Sequence, residues 1–376
     1  MPQLTTHLRN SLLVALGLTT PLQGCTSPSE PPQRPESPRG KSSASLPDSV
    51  QHLSVILGPD FLSETPPEAP EKGIVEANYP PPEQPAPLRT EPAPDPALLL
   101  SPTGNPFLDA GGVIVDLKTA EGPVHGRPLQ IHGIPRTASA ASKSDWADRI
   151  EGQLGELTLH ERARLAAGWS KAGLVEHASI ASFSRFTLQL MGLGAPPDLI
   201  RDASLAQADE VLHARHCFSI ASAFAGHPVG PGPLDLQDVW TESPAPERVL
   251  LETIHEGCIN ETVAAAEACW LAERTQAPTL RTVLIGIAQD ESRHAALAWR
   301  TVQWLLQTFP ELHSTAQAAF KTSVDARIPP SHSPRDSWMA TYGIMPRAAG
   351  MTLRENTLCG VVAPCAKRLI RSTNAA

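Results

Sequence analysis

Basic charge is scarce in this sequence. Lysine and arginine together number 30 against 39 aspartates and glutamates, which gives a formal net charge of −9 over 376 residues. No predicted helix carries a basic stripe, although a protein that binds nucleic acid needs a concentrated basic face to meet the phosphates. The sequence therefore argues against nucleic acid as a partner.

Closely spaced cysteine pairs are also absent. Without any CxxC pair, the six cysteines encode no attached electron donor of the rubredoxin type. Cys217 and Cys258 lie on predicted helix faces, where a small buried hydrophobic side chain is the expected role. Cys359 and Cys365 are too far apart along a regular helix for a disulfide, so they could pair only if that helix breaks between them.

The N-terminus contains no apolar run long enough to span a bilayer, yet it has the features of an export signal. Arg9 supplies a positive charge, and residues 11–19 form a short apolar segment. The sequence Leu-Gln-Gly-Cys that ends at Cys25 resembles the lipobox of bacterial lipoproteins. We expect a signal peptide at 1–25 and a lipid anchor on Cys25, which places the chain in the bacterial cell envelope, periplasmic or surface-exposed, with the outer membrane favoured. An uncleaved apolar terminus is the alternative.

Proline is concentrated ahead of the predicted helices. About half of the 39 prolines fall between residues 26 and 98, a segment with too little apolar surface to offset the entropy of folding. We predict a disordered linker there, which suits an extended spacer between an anchor and a folded domain. Residues 99–145 are predicted to be an irregular lead-in with possible short strands at 112–117 and 128–131.

Two motifs each place a glutamate three residues before a histidine. They are Glu210-x-x-His213 and Glu291-x-x-His294, both inside long predicted helices. On a helix these positions share one face with Cβ atoms roughly 5–6 Å apart, so both side chains can reach the same metal ion. A single match to this short motif is weak evidence, because such matches also arise by chance.

The setting of the two motifs is more specific than the motifs themselves. Each interrupts an otherwise apolar helix face of the type that packs against a core. The two faces are Leu199, Ala203, Ala206, Glu210, His213, Cys217, Ile220 and Phe224, and Leu280, Leu284, Ile287, Glu291, His294, Ala298, Val302 and Leu305. An ionised carboxylate is too costly to bury without a partner. One such interruption would suit a self-satisfied Glu–His pair, but the same interruption in two helices favours a metal site.

A di-metal site in a four-helix bundle needs one further carboxylate from each of two other helices. Glu176 stands alone on the mainly apolar face of the run 158–191, which begins with the capping box Thr158-x-x-Glu161. In the run 246–274, Glu261 lies on an apolar face. Glu256 shares its face with polar residues and is predicted to be solvated.

Depth along the helices supports the choice of Glu261. It lies thirteen residues before Arg274, where its helix is predicted to end, and Glu291 lies thirteen after Pro278, where the next helix begins. The two glutamates are therefore level across a helical hairpin. A third motif match, Glu252-x-x-His255, would lie roughly 9–13 Å too far along the axis, so we interpret it as chance.

The constellation Glu176, Glu210, His213, Glu261, Glu291 and His294 resembles the ferritin-like superfamily of di-iron carboxylate proteins over roughly residues 158–310. The resemblance implies an all-α fold at 146–310, in which two antiparallel hairpins are joined by a long crossover at 226–245. A C-terminal helical extension at 311–376 is predicted to follow, with helices near 311–328 and 353–370. The resemblance also implies that Glu210 and Glu291 bridge two irons, or two manganese ions, while Glu176 and Glu261 each bind one ion with one histidine.

The resemblance further implies a reaction with O₂ or peroxide. Three outcomes remain open: oxidation of an unknown small-molecule substrate with an unknown electron donor, ferroxidase or peroxide-detoxifying activity, and metal binding without turnover. Radical generation of the ribonucleotide-reductase type is disfavoured, because the two tyrosines, Tyr79 and Tyr342, lie outside the four helices. Small residues beside the ligands, such as Gly257 and Ala264, either leave a substrate pocket or serve close helix packing.

Overall fold

The computed structural model describes residues 2–18, 126–150, 156–239, 244–325 and 334–374, and these residues are predominantly helical. The predicted linker at 26–98, the candidate strand at 112–117 and the lipidation candidate Cys25 lie outside the described residues. Two pairs of very short antiparallel strands are present. They are β1 (Gln130–Ile131) with β2 (Ile134–Pro135), and β3 (Ala140–Ala141) with β4 (Gly230–Pro231).

The helices expected for the two hairpins and the C-terminal extension are present in order, and a further helix at the N-terminus was not predicted. They are α1 (Pro2–Ala15), α2 (Leu159–Gly192), α3 (Pro197–Ala225), α4 (Pro246–Glu252), α5 (Thr262–Arg274), α6 (Pro278–Thr308), α7 (His313–Asp325), α8 (Arg347–Thr357) and α9 (Ala363–Asn374). Two π-helical segments, Thr253–Glu261 and Leu358–Val362, connect α4 to α5 and α8 to α9 without a break, and 3-10 helices occupy Pro310–Leu312 and Pro334–Tyr342.

The first hairpin consists of α2 and α3. Thr158 and Glu161 form the predicted capping box, in which each side chain accepts a hydrogen bond from the other residue's backbone N–H. Four residues, 193–196, separate the two helices, and α3 ends where Gly226 adopts a left-handed conformation with φ of 77°. No helix interrupts the described part of the following connection, 226–239 and 244–245, so the predicted long loop is confirmed there.

The second hairpin consists of the continuous helix 246–274 and α6. The helix ends at Arg274 and α6 begins at Pro278, as predicted. The hairpins meet where α3 packs against α6. Gly257 lies at a close approach within the second hairpin, because a Cβ atom added there would overlap the Cβ of Ala298. Gly257 therefore serves helix packing, one of the two roles that the sequence left open for it.

The remaining helices cover the second hairpin. Helix α8 packs against α5, α7 packs against α4 and the first π-helical segment, and Trp299 stacks on Phe320 with ring centroids 5.2 Å apart. Helix α1 packs against α6, α9 and the second π-helical segment, with Leu8 and Leu12 buried. Among the described residues, no helix is both long and apolar enough to cross a membrane.

Candidate metal centre

Six buried side chains from four helical elements converge in the core, and they are the six that the sequence analysis selected. Helix α2 contributes Glu176, α3 contributes Glu210 and His213, the first π-helical segment contributes Glu261 at its last residue, and α6 contributes Glu291 and His294. The most exposed of them, Glu176, has a relative accessibility of only 7%. The apolar faces around both motifs are buried, because each faces the space between the hairpins.

The six side chains form two overlapping groups, each of which can hold a metal ion. One group is Glu176, Glu210, His213 and Glu291, and the other is Glu210, Glu261, Glu291 and His294. Within each group, one potential ligand atom per residue lies within 4.8 Å of all the others. Glu210 and Glu291 belong to both groups, which is the arrangement expected of bridging carboxylates. That these residues ligate metal stays a prediction.

Both histidines direct Nδ1 toward the shared carboxylates. His213 Nδ1 lies 3.5 Å from Glu291 Oε1, and His294 Nδ1 lies 3.3 Å from Glu210 Oε1. Their other ring nitrogen faces an aspartate on the opposite helix. His213 Nε2 lies 2.9 Å from Asp290 Oδ2, and His294 Nε2 lies 3.2 Å from Asp209 Oδ2. Because an ionised carboxylate can only accept, Nε2–H donates in each pair, and in the neutral imidazole this leaves the Nδ1 lone pair for a metal ion.

Arg293 joins the two aspartates at the edge of the centre. Its Nη2 lies 3.1 Å from Asp209 Oδ2 and 2.6 Å from Asp290 Oδ1. Asp209 was not selected as a ligand from the sequence, and the structure places its Oδ2 beside His294 Nε2. Asp290 and Arg293 were not selected from the sequence. The repeated pattern Asp-Glu-x-x-His, present at 209–213 and 290–294, was the available signal.

The four buried carboxylates fall into two ionisation classes. Burial, and then the charges of Glu210 and Glu291, raise the pKa of Glu176 well above its usual value. Burial, and then Glu291, raise the pKa of Glu261 in the same way. Burial also acts on Glu210 and Glu291, but the neighbouring imidazoles of His213 and His294, and Glu261 beside Glu291, outweigh it and bring their pKa values below the usual range.

The two imidazoles shift in the opposite sense. Burial lowers the pKa of His213, but its hydrogen bond to Asp290 and the nearby carboxylates of Glu210 and Glu291 raise it well above its usual value. The pKa of His294 is raised in the same way by its hydrogen bond to Asp209 and by the same two glutamates. Without metal, these shifts favour protonated histidines and protonated Glu176 and Glu261 beside ionised Glu210 and Glu291.

Several polar atoms at the centre are buried without any hydrogen-bond partner. They are Glu176 Oε2, Glu210 Oε2, both carboxyl oxygens of Glu261, Glu291 Oε2 and the Nδ1 atoms of His213 and His294. Buried polar atoms normally have partners, and so many exceptions in one place need an explanation. Two divalent ions provide one, since they would coordinate these atoms and neutralise four ionised carboxylates. The residues present therefore fit a metal pair.

Glu256 is buried, and the prediction that it is solvated is wrong. Its relative accessibility is 3%, and Oε2 lies 3.4 Å from Arg127 Nε and accepts a hydrogen bond from Ser182 Oγ at 3.2 Å. Arg185 Nη2 lies 3.4 Å from Oε1. Burial raises the pKa of Glu256 in spite of both arginines. The sequence pattern failed because Arg127, from the lead-in before α2, provides a charge partner that no helix periodicity shows.

The π-helical segment also explains this error. A π-helix closes its hydrogen bonds over five residues, so faces derived from a 3.6-residue period drift along 253–261. The depth argument for Glu261 was unaffected, because the thirteen residues that follow it, Thr262–Arg274, are regular α-helix. Short π-helical insertions occur frequently at functional sites.

The third motif match does not join the centre. Glu252 accepts a hydrogen bond from Gln189 Nε2 at 2.7 Å, and His255 Nδ1 lies 3.2 Å from Ser323 Oγ on α7. These contacts of Glu252 and His255 agree with the interpretation of Glu252-x-x-His255 as chance. His177, which follows Glu176 in the sequence, packs its ring edge against Trp146 with centroids 5.3 Å apart.

Comparison with known proteins adds no family to this description. No family model, no curated protein and no solved structure matches the chain. The interpretation of the centre therefore depends on its own geometry and charge.

Proposed function

We propose that the chain is a ferritin-like four-helix-bundle protein that binds two iron ions, with manganese as the alternative, and reacts with O₂ or peroxide. The observation that supports this most directly is the pair of ligand groups that share Glu210 and Glu291. Two bridging carboxylates bring two divalent ions close together, which a single-ion site does not require. Mixed carboxylate and imidazole donors suit iron or manganese better than a metal that prefers thiolates.

In this proposal each residue has a distinct role. Glu210 and Glu291 would hold both ions, Glu176 with His213 would hold one of them, and Glu261 with His294 would hold the other. When bound, two reduced irons supply the two electrons that O₂ or peroxide takes up. Glu176 and Glu261 would each hold a single ion, so either carboxylate could shift without releasing both ions.

The surrounding residues orient and insulate the centre. Asp209 and Asp290 fix the ring orientation and tautomer of the two histidines, the usual role of such carboxylate–imidazole pairs beside a metal. Phe183 lies edge-on to His294 with ring centroids 5.1 Å apart and helps to exclude water. Dry walls strengthen the electrostatic interactions of the centre.

Metal content tests the proposal. Protein produced in iron-replete cells should contain two transition-metal ions per chain. Glu210→Ala and Glu291→Ala should lose both ions, because each removes a bridge. Glu247→Gln, a change at an exposed glutamate of α4, is the matched control and should leave metal content unchanged. Trace metal in the parent protein would exclude the proposed function.

Turnover separates the candidate activities. With excess Fe(II) and O₂, a ferroxidase oxidises many irons per site. An enzyme that oxidises an organic substrate stalls after about two electrons per metal pair until substrate and reductant are added. Absence of reaction with either oxidant in the metal-loaded protein would leave metal binding without turnover. Ferroxidase or peroxide-detoxifying activity is the second candidate. The small cavity lined by Glu176 and Glu291, with a volume of about 40 Å³, favours it because O₂ and peroxide are small.

We further propose that the protein is anchored in the bacterial cell envelope through a lipid on Cys25. The support is the short apolar segment followed by Leu-Gln-Gly-Cys. Cleavage before Cys25 would remove α1, whose leucines are buried against α6 and α9, so the anchored form and the form with α1 folded are exclusive. Detergent partitioning that Cys25→Ser abolishes is the expected result. A soluble full-length chain with Met1 intact would overturn it.

A further inference from the structure

A small cavity adjoins the candidate metal centre on the side of α5. Its volume is about 40 Å³. Two of its walls are proposed ligands, Glu176 and Glu291, and Glu176 Oε2 is buried without a hydrogen-bond partner. The other walls are Trp169, Ala172, Cys217, Ala264, Glu267, Ala268, Leu271, Leu284, Ile287 and Gly343. The cavity therefore gives direct access to one ligand of a single ion and to one bridging ligand.

The volume limits what can reach the metals through this space. An apolar protein cavity that binds benzene measures about 150 Å³, and pockets for drug-sized ligands measure about 300–1,000 Å³. A cavity of about 40 Å³ has room for a few water-sized molecules and none for an aromatic ring. Its walls are mainly apolar, which suits O₂ and allows H₂O₂ to enter with the carboxylates of Glu176, Glu267 and Glu291 as its polar partners.

The wall at Gly343 is closely packed. Gly343 has a φ of 77°, and a Cβ atom added there would lie 2.6 Å from Trp169 and 3.3 Å from Leu284 Cδ1. Trp169 is itself held in place, because its Nε1 donates a hydrogen bond to the Tyr342 carbonyl at 3.0 Å. The segment after α7 thus packs tightly at the wall formed by Gly343 and Trp169.

We propose that this cavity is the reactant site of the metal pair and that its size admits O₂ or hydrogen peroxide while it excludes organic substrates. The inference rests on the proposed function, and it narrows the reactant to molecules of two to four atoms. It also implies that any larger reductant delivers electrons from outside the cavity. Ferroxidase and peroxide-detoxifying activities satisfy this limit, whereas direct oxygenation of an organic molecule does not.

Binding of small ligands to the cobalt-loaded protein tests the size limit without any measurement of turnover. Cobalt(II) is added to metal-free protein, and its visible absorption is followed during titration with azide, a linear ion of three atoms, and with imidazole, a five-membered ring. Azide should change the spectrum. Imidazole should bind at least about tenfold more weakly than azide, because a tight pocket discriminates strongly by size.

Two variants assign the limit to this cavity. Leu284→Ala removes part of its wall and should allow imidazole to change the cobalt spectrum. Leu280→Ala is the matched control, since Leu280 is a buried leucine one turn earlier on α6 that does not line the cavity. Ile287→Val, a smaller change in the same wall, provides a second enlarging variant if Leu284→Ala does not fold. Circular dichroism and cobalt content should match between variant and control.

The outcomes separate this inference from the proposed function. Failure to bind cobalt would contradict the metal site itself. Cobalt binding with equal responses to azide and imidazole in the parent protein would overturn the size limit and leave the metal site intact. A response to neither ligand, or no gain of imidazole binding in a folded, cobalt-loaded wall variant, would show that this cavity does not lead to the metals.

Discussion

Glu176 and Glu261 differ from Glu210 and Glu291 in ionisation, although all four are buried in the same centre. The first pair has raised pKa values because burial and neighbouring carboxylates oppose ionisation, and the second pair has lowered pKa values because two imidazoles lie beside it. At the scale of single residues, the stability of the metal-free protein thus depends on which of the four carboxylates are protonated. The change in the free energy of unfolding on substitution should therefore differ between the two pairs.

Glutamine substitutions distinguish the two classes. Glu291→Gln should lower the free energy of unfolding of the metal-free protein by about 1.5–3 kcal/mol, because it removes one ionised neighbour from each imidazole while Asp209, Asp290 and Glu210 remain. Glu261→Gln should change it by no more than about 1 kcal/mol, because glutamine is neutral and has the shape of the protonated acid. Urea denaturation at neutral pH in the presence of a chelator measures both. Equal losses would contradict the assignment of protons.

At the scale of elements, the π-helical segment 253–261 places two buried carboxylates with different partners. Glu256 turns toward Arg127, which also lies 4.0 Å from the ring centroid of Phe186, and Glu261 turns toward the candidate metal centre. Between them, Gly257 lets the segment approach α6 at Ala298. The irregular helix therefore positions a ligand and a charge pair in the same few residues.

Alanine substitution of two glycines tests the close approach. Gly257→Ala should lower the free energy of unfolding by about 1–3 kcal/mol, because the new Cβ overlaps the Cβ of Ala298 and overpacks the helix contact. Gly286→Ala on α6 is the matched control. Its added Cβ meets nothing within 4 Å, so it should raise the stability by about 0.8–1 kcal/mol through helix propensity. Thermal denaturation of both variants gives the comparison, and a loss at Gly286 as large as at Gly257 would refute the packing argument.

At the scale of the whole molecule, metal binding and protonation are linked. Without metal, the raised pKa values of Glu176, Glu261, His213 and His294 favour their protonated forms, which hold four protons. In the proposed metal-bound form, two divalent ions would take the place of those four protons. The six side chains would then carry no net charge in either form, which avoids the cost of an uncompensated buried charge.

Metal uptake should release about four protons per chain at neutral pH, and the apparent affinity should rise as the pH rises. Calorimetric titration in buffers of different ionisation enthalpy counts the protons. In the metal-free protein, by contrast, these four groups should make the folding stability fall as the pH rises. Their folded pKa values are raised above ordinary values of 4.5 and 6.5, so the stability that they contribute is present at low pH and is lost as the pH rises through the folded values. Metal uptake without proton release would contradict the assignment.

The sequence alone determined much of the helical architecture and the members of the centre. The apolar faces around Glu210 and Glu291 and the capping box at Thr158 mark helices that the structure contains. Equal depth identified Glu261 as the glutamate of 246–274 that reaches the centre. These features were predictable because helical period, caps and rise per residue are local properties of the chain.

Other features were decided only by the tertiary structure. Arg127 reaches Glu256 across 129 positions of sequence, and Asp209 and Asp290 each support a histidine on the opposite helix. The cavity beside Glu176 depends on Gly343, from a segment beyond the four helices. Burial of a charge depends on the partner that folding brings to it, and the size of a cavity depends on how every wall packs. Neither quantity is a property of one segment, so no periodicity within a segment reveals it.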